Sequence, residues 1–418
     1  MKPTLVRGLL LCVAGLSTLY AADELTASRH FGRPTIASST QGEARPHSWI
    51  REYISPDARA AAISRSPAGF WPSDMWTAYG INPNAGAGAH ATIAIVDAYD
   101  APNALADLNA FSAQFGLPGF SSSSSSTTPV CPTQPTFTKV NENGRVTPLP
   151  RRNSGWEVEI NLDTQWAHAM APCANIVLVE ANSASLSDLL TAVLYAKTVA
   201  SVVSMSWGGS EFFSQSFYDG VFVQHGVTFL ASSGDTGGIV SWPASSVNVI
   251  GVGGTQLAAN TLGGLASPIV ETAWSGSGGG CSQVEPALSF QKTFLPLSPT
   301  CTRRGIPDVS ISGGDQSAVA VLVSDQGGWY EVYGTSLSVQ LWAGLVAIAN
   351  GPRVAPLSTT LSDLYADATG AALYGANFRD VISGKTSRFT AGAGWDFVTG
   401  LGSPLVNSLI PGYLSKQQ

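Results

Sequence analysis

Four residues of this chain could together carry out acyl transfer. Glu159 and Asp163 stand four apart in GWEVEINLDTQWAHAMA (155–171), a run with the apolar period of a helix, so both carboxylates project from one face. Two like charges that close are unfavourable on a bare surface; the pair makes chemical sense if a proton is shared between them or with a third group. Asp235 lies in ASSGDTGG (231–238), a small-residue turn directly after an apolar, β-branched run. A carboxylic acid kept neutral there can donate a hydrogen bond to an oxyanion. Ser336 lies in GTSLS (334–338), ahead of the apolar run LWAGLVAIA (341–349). A helix beginning at this serine turns its free N–H groups and positive dipole end toward developing negative charge, which suits a nucleophile. Each signal has a plain structural alternative: a solvated acidic face, a turn-forming aspartate beside glycines, an N-cap.

The elements that must position these residues are legible as alternating runs. Strands are expected at 92–97, 175–181, 201–206, 227–233 and 248–254, with helices at 104–115 and 185–200. This alternation predicts an α/β fold, a parallel sheet with helices on both faces, whose sites collect at the carboxyl ends of strands. The 418 residues suit one large domain, expected over 67–418 and preceded by an irregular extension at 23–66. The serine run 121–126 reads as a solvated loop.

Charged residues make up 12% of the chain and the formal charge is −7, which argues against nucleic acid or an anionic membrane as partner. Lys2 and Arg7, the apolar run 8–19 and the small residues Ala21 and Ala22 read as an export signal over 1–22, too short to span a bilayer. Its removal leaves Cys131, Cys173, Cys281 and Cys301, an even set that favours disulfides in an exported chain. Cys281 and Cys301 bracket one Pro-rich loop and are paired first. An imidazole base is not expected: His168 falls five residues past Asp163, off the shared face, and His225 lies in a connecting segment.

In this order, EINLD, SSGDTG and YGTSLS resemble the sedolisin family of serine-carboxyl peptidases, which are subtilisin-like in fold but use Glu where subtilisin uses His. The likeness runs from about Trp71 to Pro404 and includes VDAYD (96–100), SMSWGG (204–209), VGGT (252–255), SGGGCS (277–282) and RGIPDVS (304–310). The resemblance implies Ser336 as nucleophile, Glu159 as general base, Asp163 as the acid that orients and shares protons with it, and Asp235 as the oxyanion-stabilising acid. Asp97 and Trp207 stand where some members extend the hydrogen-bond chain. It further implies an exported endopeptidase working at acidic pH, and one Ca²⁺ held by Asp380, Asp396 and the backbone oxygens of Val381, Gly392 and Gly394. A hard cation wants several oxygens, and alternating glycines let carbonyls converge. The chain is expected to act as a monomer on polypeptide substrates.

Two positions depart from the family pattern: Gln340 stands where Pro is usual, and bulky Tyr333 where Gly or Ser is usual. The short N-terminal extension, in place of a long prodomain, implies that inhibition by such a segment is absent or reduced. The rival readings are an inactive exported calcium-binding protein that keeps the fold, and another serine hydrolase such as an esterase. The second is disfavoured by the lack of GxSxG with a suitably placed His.

Overall fold

The computed structural model describes residues 42–54, 66–84, 86–120, 131–260, 263–295 and 301–414. The expected export signal, the remainder of the extension (23–41 and 55–65) and the serine run lie outside the described residues. Along the chain, β1 (Arg45–Pro46) and β2 (Trp49–Ile54) precede α1 (Pro72–Tyr79) and β3 (Thr92–Ala98). Then come α2 (Ala104–Phe115), β4 (Phe137–Asn141), α3 (Ser154–Met170), β5 (Asn175–Ala181), α4 (Leu186–Val199), β6 (Val202–Met205) and β7 (Trp207–Ser210). The second half holds β8 (Thr228–Ser232), β9 (Ser241–Trp242), β10 (Ile250–Leu257), β11 (Glu271–Ala273), β12 (Gly280–Pro286), β13 (Arg303–Ile306), β14 (Val309–Ser312), β15 (Val319–Val323) and β16 (Gly328–Tyr333), which leads straight into α5 (Thr335–Asn350).

An eight-stranded sheet organises the molecule, in the order β11-β10-β8-β6-β3-β5-β4 with β14 also paired to β10. Every pairing in it is parallel except β10 with β11. β3 is buried from Ile93 to Ala98 and β6 throughout, as expected for strands covered on both faces. The apolar residues fall into two large clusters, one drawing on α2, α3 and α5, the other on α4.

α3 starts where Asn153 accepts from the N–H groups of Gly155 and Trp156, at 3.0 and 3.2 Å, as an N-cap should. From Gly155 to Met170 every residue is buried, so the acidic pair does not lie on a solvated face. α4 begins one residue later than the apolar run suggests because the Ser185 hydroxyl caps it, accepting from the Asp188 N–H.

Both disulfides are present, Cys281–Cys301 and Cys131–Cys173. Beside the first, Arg304 is wholly buried and grips Asp308 with both terminal nitrogens, at 2.7 and 2.5 Å. Asp308 also accepts from the Gly251 N–H and the Tyr365 hydroxyl, both at 2.8 Å. Removing the cation would leave an uncompensated buried charge. Arg304→Met is therefore expected to lower stability by about 3–5 kcal/mol in urea unfolding, and a loss below about 1 kcal/mol would contradict this.

The extension departs from expectation. Residues 42–54, read as irregular, form two short strands: Arg45 and Pro46 pair antiparallel with Gly208 and Trp207, and Trp49–Ile54 pairs antiparallel with β16. Their extended form is supplied by distant strand edges rather than by any period of their own.

Candidate active site

α3 carries Glu159 and Asp163 at its middle. Ser336 sits in the first turn of α5, after the N-cap Gly334, and Asp235 lies three residues beyond β8. All four are buried. Asp235 Oδ1 accepts from both the N–H and the hydroxyl of Thr335, at 2.9 and 2.8 Å. With Oδ1 so engaged as an acceptor, the proton of a neutral Asp235 belongs on Oδ2. That oxygen faces Gly334, whose φ of +139° suits glycine; a Cβ built there would lie 2.8 Å from Asp235 Oδ2. Asp163 Oδ2 accepts from Gln340 Nε2 at 2.6 Å, and the same nitrogen reaches Ser206 Oγ at 3.0 Å. Glu159 Oε1 and Asp163 Oδ1 are buried without hydrogen-bond partners, so the two acids act on each other through charge.

Residues 42–54 run through this site. The Ser336 N–H donates to the His47 carbonyl oxygen at 3.1 Å, and the His47 N–H donates to the Ser206 carbonyl at 3.1 Å. A Gly334 Cβ would overlap that His47 oxygen, so it and Asp235 Oδ2 converge on one spot. The next residue, Ser48, gives its hydroxyl to Glu159 Oε2. Ser336 Oγ lies against the Glu159 carboxyl, yet its hydrogen bond goes to the Ser206 carbonyl, at 3.2 Å. Ser48 thus holds the carboxylate that the family resemblance assigns to Ser336. His47 and Ser48 lie against Ser336, Ser206 and Glu159.

Burial dominates the electrostatics. Glu159 and Asp163 are pushed well above the usual carboxylate range by burial first and then by the charge of Asp97. The Ser336 and Ser48 hydroxyls oppose this at Glu159, as do Ser206 and Gln340 at Asp163. Burial raises Asp97 to about 8, Glu180 to about 9 and Glu285 to about 7. Unfolded, these carboxyls ionise near pH 4, so from there up to their raised values the folded chain holds more protons and stability falls as pH rises. His168 acts oppositely: burial lowers it to about 4, so between pH 4 and 6.5 its contribution rises with pH. Five carboxyls outweigh one imidazole. The thermal midpoint is expected to be higher near pH 4 than near pH 8; a midpoint that rises across this window contradicts the burial of these groups.

The model of the subtilase family matches residues 155–360. Sedolisin of Pseudomonas sp. (strain 101) is 32% identical over 206 residues, covering 43% of this chain and 33% of that protein. The solved structure of Pseudomonas sedolisin, a serine-carboxyl proteinase complexed with two molecules of pseudo-iodotyrostatin, superposes with a TM-score of 0.66 at 25% identity, over 83% of this chain and 98% of that one. Kumamolisin of Bacillus sp. (strain MN-32) is 30% identical over 413 residues, 89% of this chain and 69% of that protein. The chain belongs to the sedolisin family. It is a serine-carboxyl peptidase with a subtilisin-like fold.

Within this sedolisin-family site, several contributors escaped the sequence reading. His47 and Ser48 carry no motif. Gln340 was visible only as a departure, while its amide in fact binds Asp163. Trp207 donates its indole N–H to the Val96 carbonyl at 2.8 Å rather than to a carboxylate. His168 bonds the Pro118 carbonyl through Nε2 at 2.7 Å and packs on Phe120, remote from any role as base.

The residues of the expected cation site adjoin one another. Asp380 accepts from the Gly394 N–H and Asp396 from the Gly392 N–H, each at 3.0 Å. The charges of both carboxylates reach the Tyr374 phenol, which is raised by burial first and then by Asp380. Among the described residues no three His, Cys, Asp or Glu side chains gather as metal ligands. The donor set is two carboxylates beside a glycine loop, which fits a hard cation that draws on backbone carbonyls.

Proposed function

We propose that this peptidase is an exported, acid-active endopeptidase with Ser336 as nucleophile, Glu159 as general base, Asp163 as its orienting acid and Asp235 as oxyanion donor. The observation that carries the reading is the His47 carbonyl oxygen, which lies on the Ser336 N–H and beside Asp235 Oδ2, where a scissile carbonyl would sit. Chain continues on both sides of that carbonyl, as β1 and β2, which supports internal rather than terminal cleavage.

In the reaction, Glu159 takes the Ser336 proton as Oγ attacks the carbonyl carbon. The oxyanion formed receives hydrogen bonds from the Ser336 N–H and from Oδ2–H of neutral Asp235. Glu159 then returns its proton to the departing amine, and water repeats the cycle on the acyl-enzyme. Asp163, fixed by Gln340 and Ser206, orients Glu159 and shares protons with it. Substrate must first displace Ser48 from Glu159, so residues 42–54 restrain the enzyme until they move or are cut.

The base must be ionised while Asp235 keeps its proton, so cleavage of an unfolded polypeptide should follow an acidic bell whose rising limb lies above the ordinary carboxylate range, because burial raises Glu159. A rate still climbing at about pH 8 would count against the carboxylate base.

Export is supported by the signal-like N-terminal pattern and by the two disulfides. Among the described residues no helix is long and apolar enough to cross a membrane. One Ca²⁺ would be held by Asp380, Asp396 and the carbonyl oxygens of Val381, Gly392 and Gly394. Its charge would offset the two carboxylates and tie the loop before Trp395 to the body of the domain.

A further inference from the structure

The segment that crosses the cleft also shows what lies beyond the scissile position. With the His47 carbonyl on the Ser336 N–H, the bond between His47 and Ser48 is the one presented, and Trp49 is the second residue after it. Trp49 pairs with Tyr333 in the β2–β16 ladder, and their rings stack with centroids 6.5 Å apart and planes 12° apart. Tyr333 in turn meets Trp274 edge to face, at 5.9 Å and 88°. Trp274 is 5% exposed and hemmed in by glycines: a Cβ on Gly254 would lie 2.8 Å from its ring, and one on Gly276 would collide with it. The backing ring is therefore fixed, and Tyr333 is presented on it as a flat apolar face beside the nucleophile.

We infer that Tyr333, backed by Trp274, is the docking platform for an aromatic side chain two residues after the scissile bond, in extended peptides that add as a strand to β16. The inference rests on the peptidase reading above, with Ser336 as nucleophile. Strand addition supplies main-chain hydrogen bonds whatever the sequence, so selectivity must come from side chains that meet neighbours on the added strand. Stacking on a pre-placed ring favours an aromatic residue over an aliphatic or small one beyond its buried area alone. Bulk at position 333, which narrows the cleft, is on this account what gives the enzyme a preference.

The test uses internally quenched peptides built on the sequence Ala-Arg-Pro-His-Ser-Xaa-Ile-Arg, with Xaa as Trp, Tyr, Leu or Ala, cleaved by the full-length enzyme at acidic pH. Wild type is expected to show kcat/KM about tenfold higher for Trp than for Ala. Tyr333→Phe should keep that ratio. Tyr333→Leu, which retains apolar bulk against Trp274, should reduce it to about threefold or less. Cleavage of all four peptides by wild type at similar rates overturns the platform and leaves the peptidase reading standing. An aromatic preference that survives in Tyr333→Leu also overturns it, because the selectivity then lies elsewhere. If wild type cleaves none of the peptides and no unfolded polypeptide, the peptidase reading fails and the inference falls with it.

Discussion

Ser336→Ala is expected to lower kcat for peptide cleavage by about 10⁴-fold or more, and to leave the chain intact between His47 and Ser48. The Ser336 N–H stays on the His47 carbonyl when the hydroxyl is removed, so binding and polarisation survive while the attacking atom is gone. Glu159→Gln should cost a comparable factor, since a neutral amide cannot take the proton, and the double variant should cost no more than the worse single one. Nucleophile and base act as a unit, and units do not add. Stopped assays on an unfolded polypeptide at the maximum of the wild-type pH profile, with intact-mass analysis of the N-terminal region, measure both effects. Activity within tenfold of wild type in Ser336→Ala would remove the serine from the mechanism. Independent, multiplicative losses in the double variant would remove Glu159 as its partner.

What was readable from sequence follows from where each interaction is encoded. α2 and β5 stand where the apolar runs place them, residue for residue, because strands and helices packed against one sheet must carry their burial in local pattern. The four-residue spacing of Glu159 and Asp163 is likewise local, and one helix displays it. The crossing segment is different. Ser48 meets Glu159 across 111 positions, and β2 finds its partner strand across some 280, so no window of sequence contains either contact. Gln340 was legible only as a missing proline; that its amide reaches Asp163 depends on how α5 lies along α3, which neither helix states alone. Burial was the remaining blind spot: an acidic pair on a helix reads as a solvated face until the other elements close over it.

Gly334→Ala tests that enclosed geometry without replacing any ionisable group. An added methyl would overlap the His47 carbonyl oxygen and sit 2.8 Å from Asp235 Oδ2 and 2.9 Å from Ser48 Cα, so it occupies the place where a scissile carbonyl meets its two donors. The residue also has φ of +139°, which an alanine adopts only under strain of about 1–3 kcal/mol. Strain alone would appear as a lower unfolding midpoint with catalysis of the folded fraction preserved. Exclusion of the carbonyl from both oxyanion donors predicts much more: kcat/KM for polypeptide cleavage down by about 10³-fold or further, measured at a temperature where the variant is fully folded. The same methyl should expel residues 42–54, exposing that stretch to an added protease while the rest of the domain resists it. Loss of activity without release of the segment would mean that the backbone at 334 distorts Ser336 rather than blocking the carbonyl. Near-normal activity would show that substrate does not pass over Gly334 at all, and the site would have to be redrawn around a different bond.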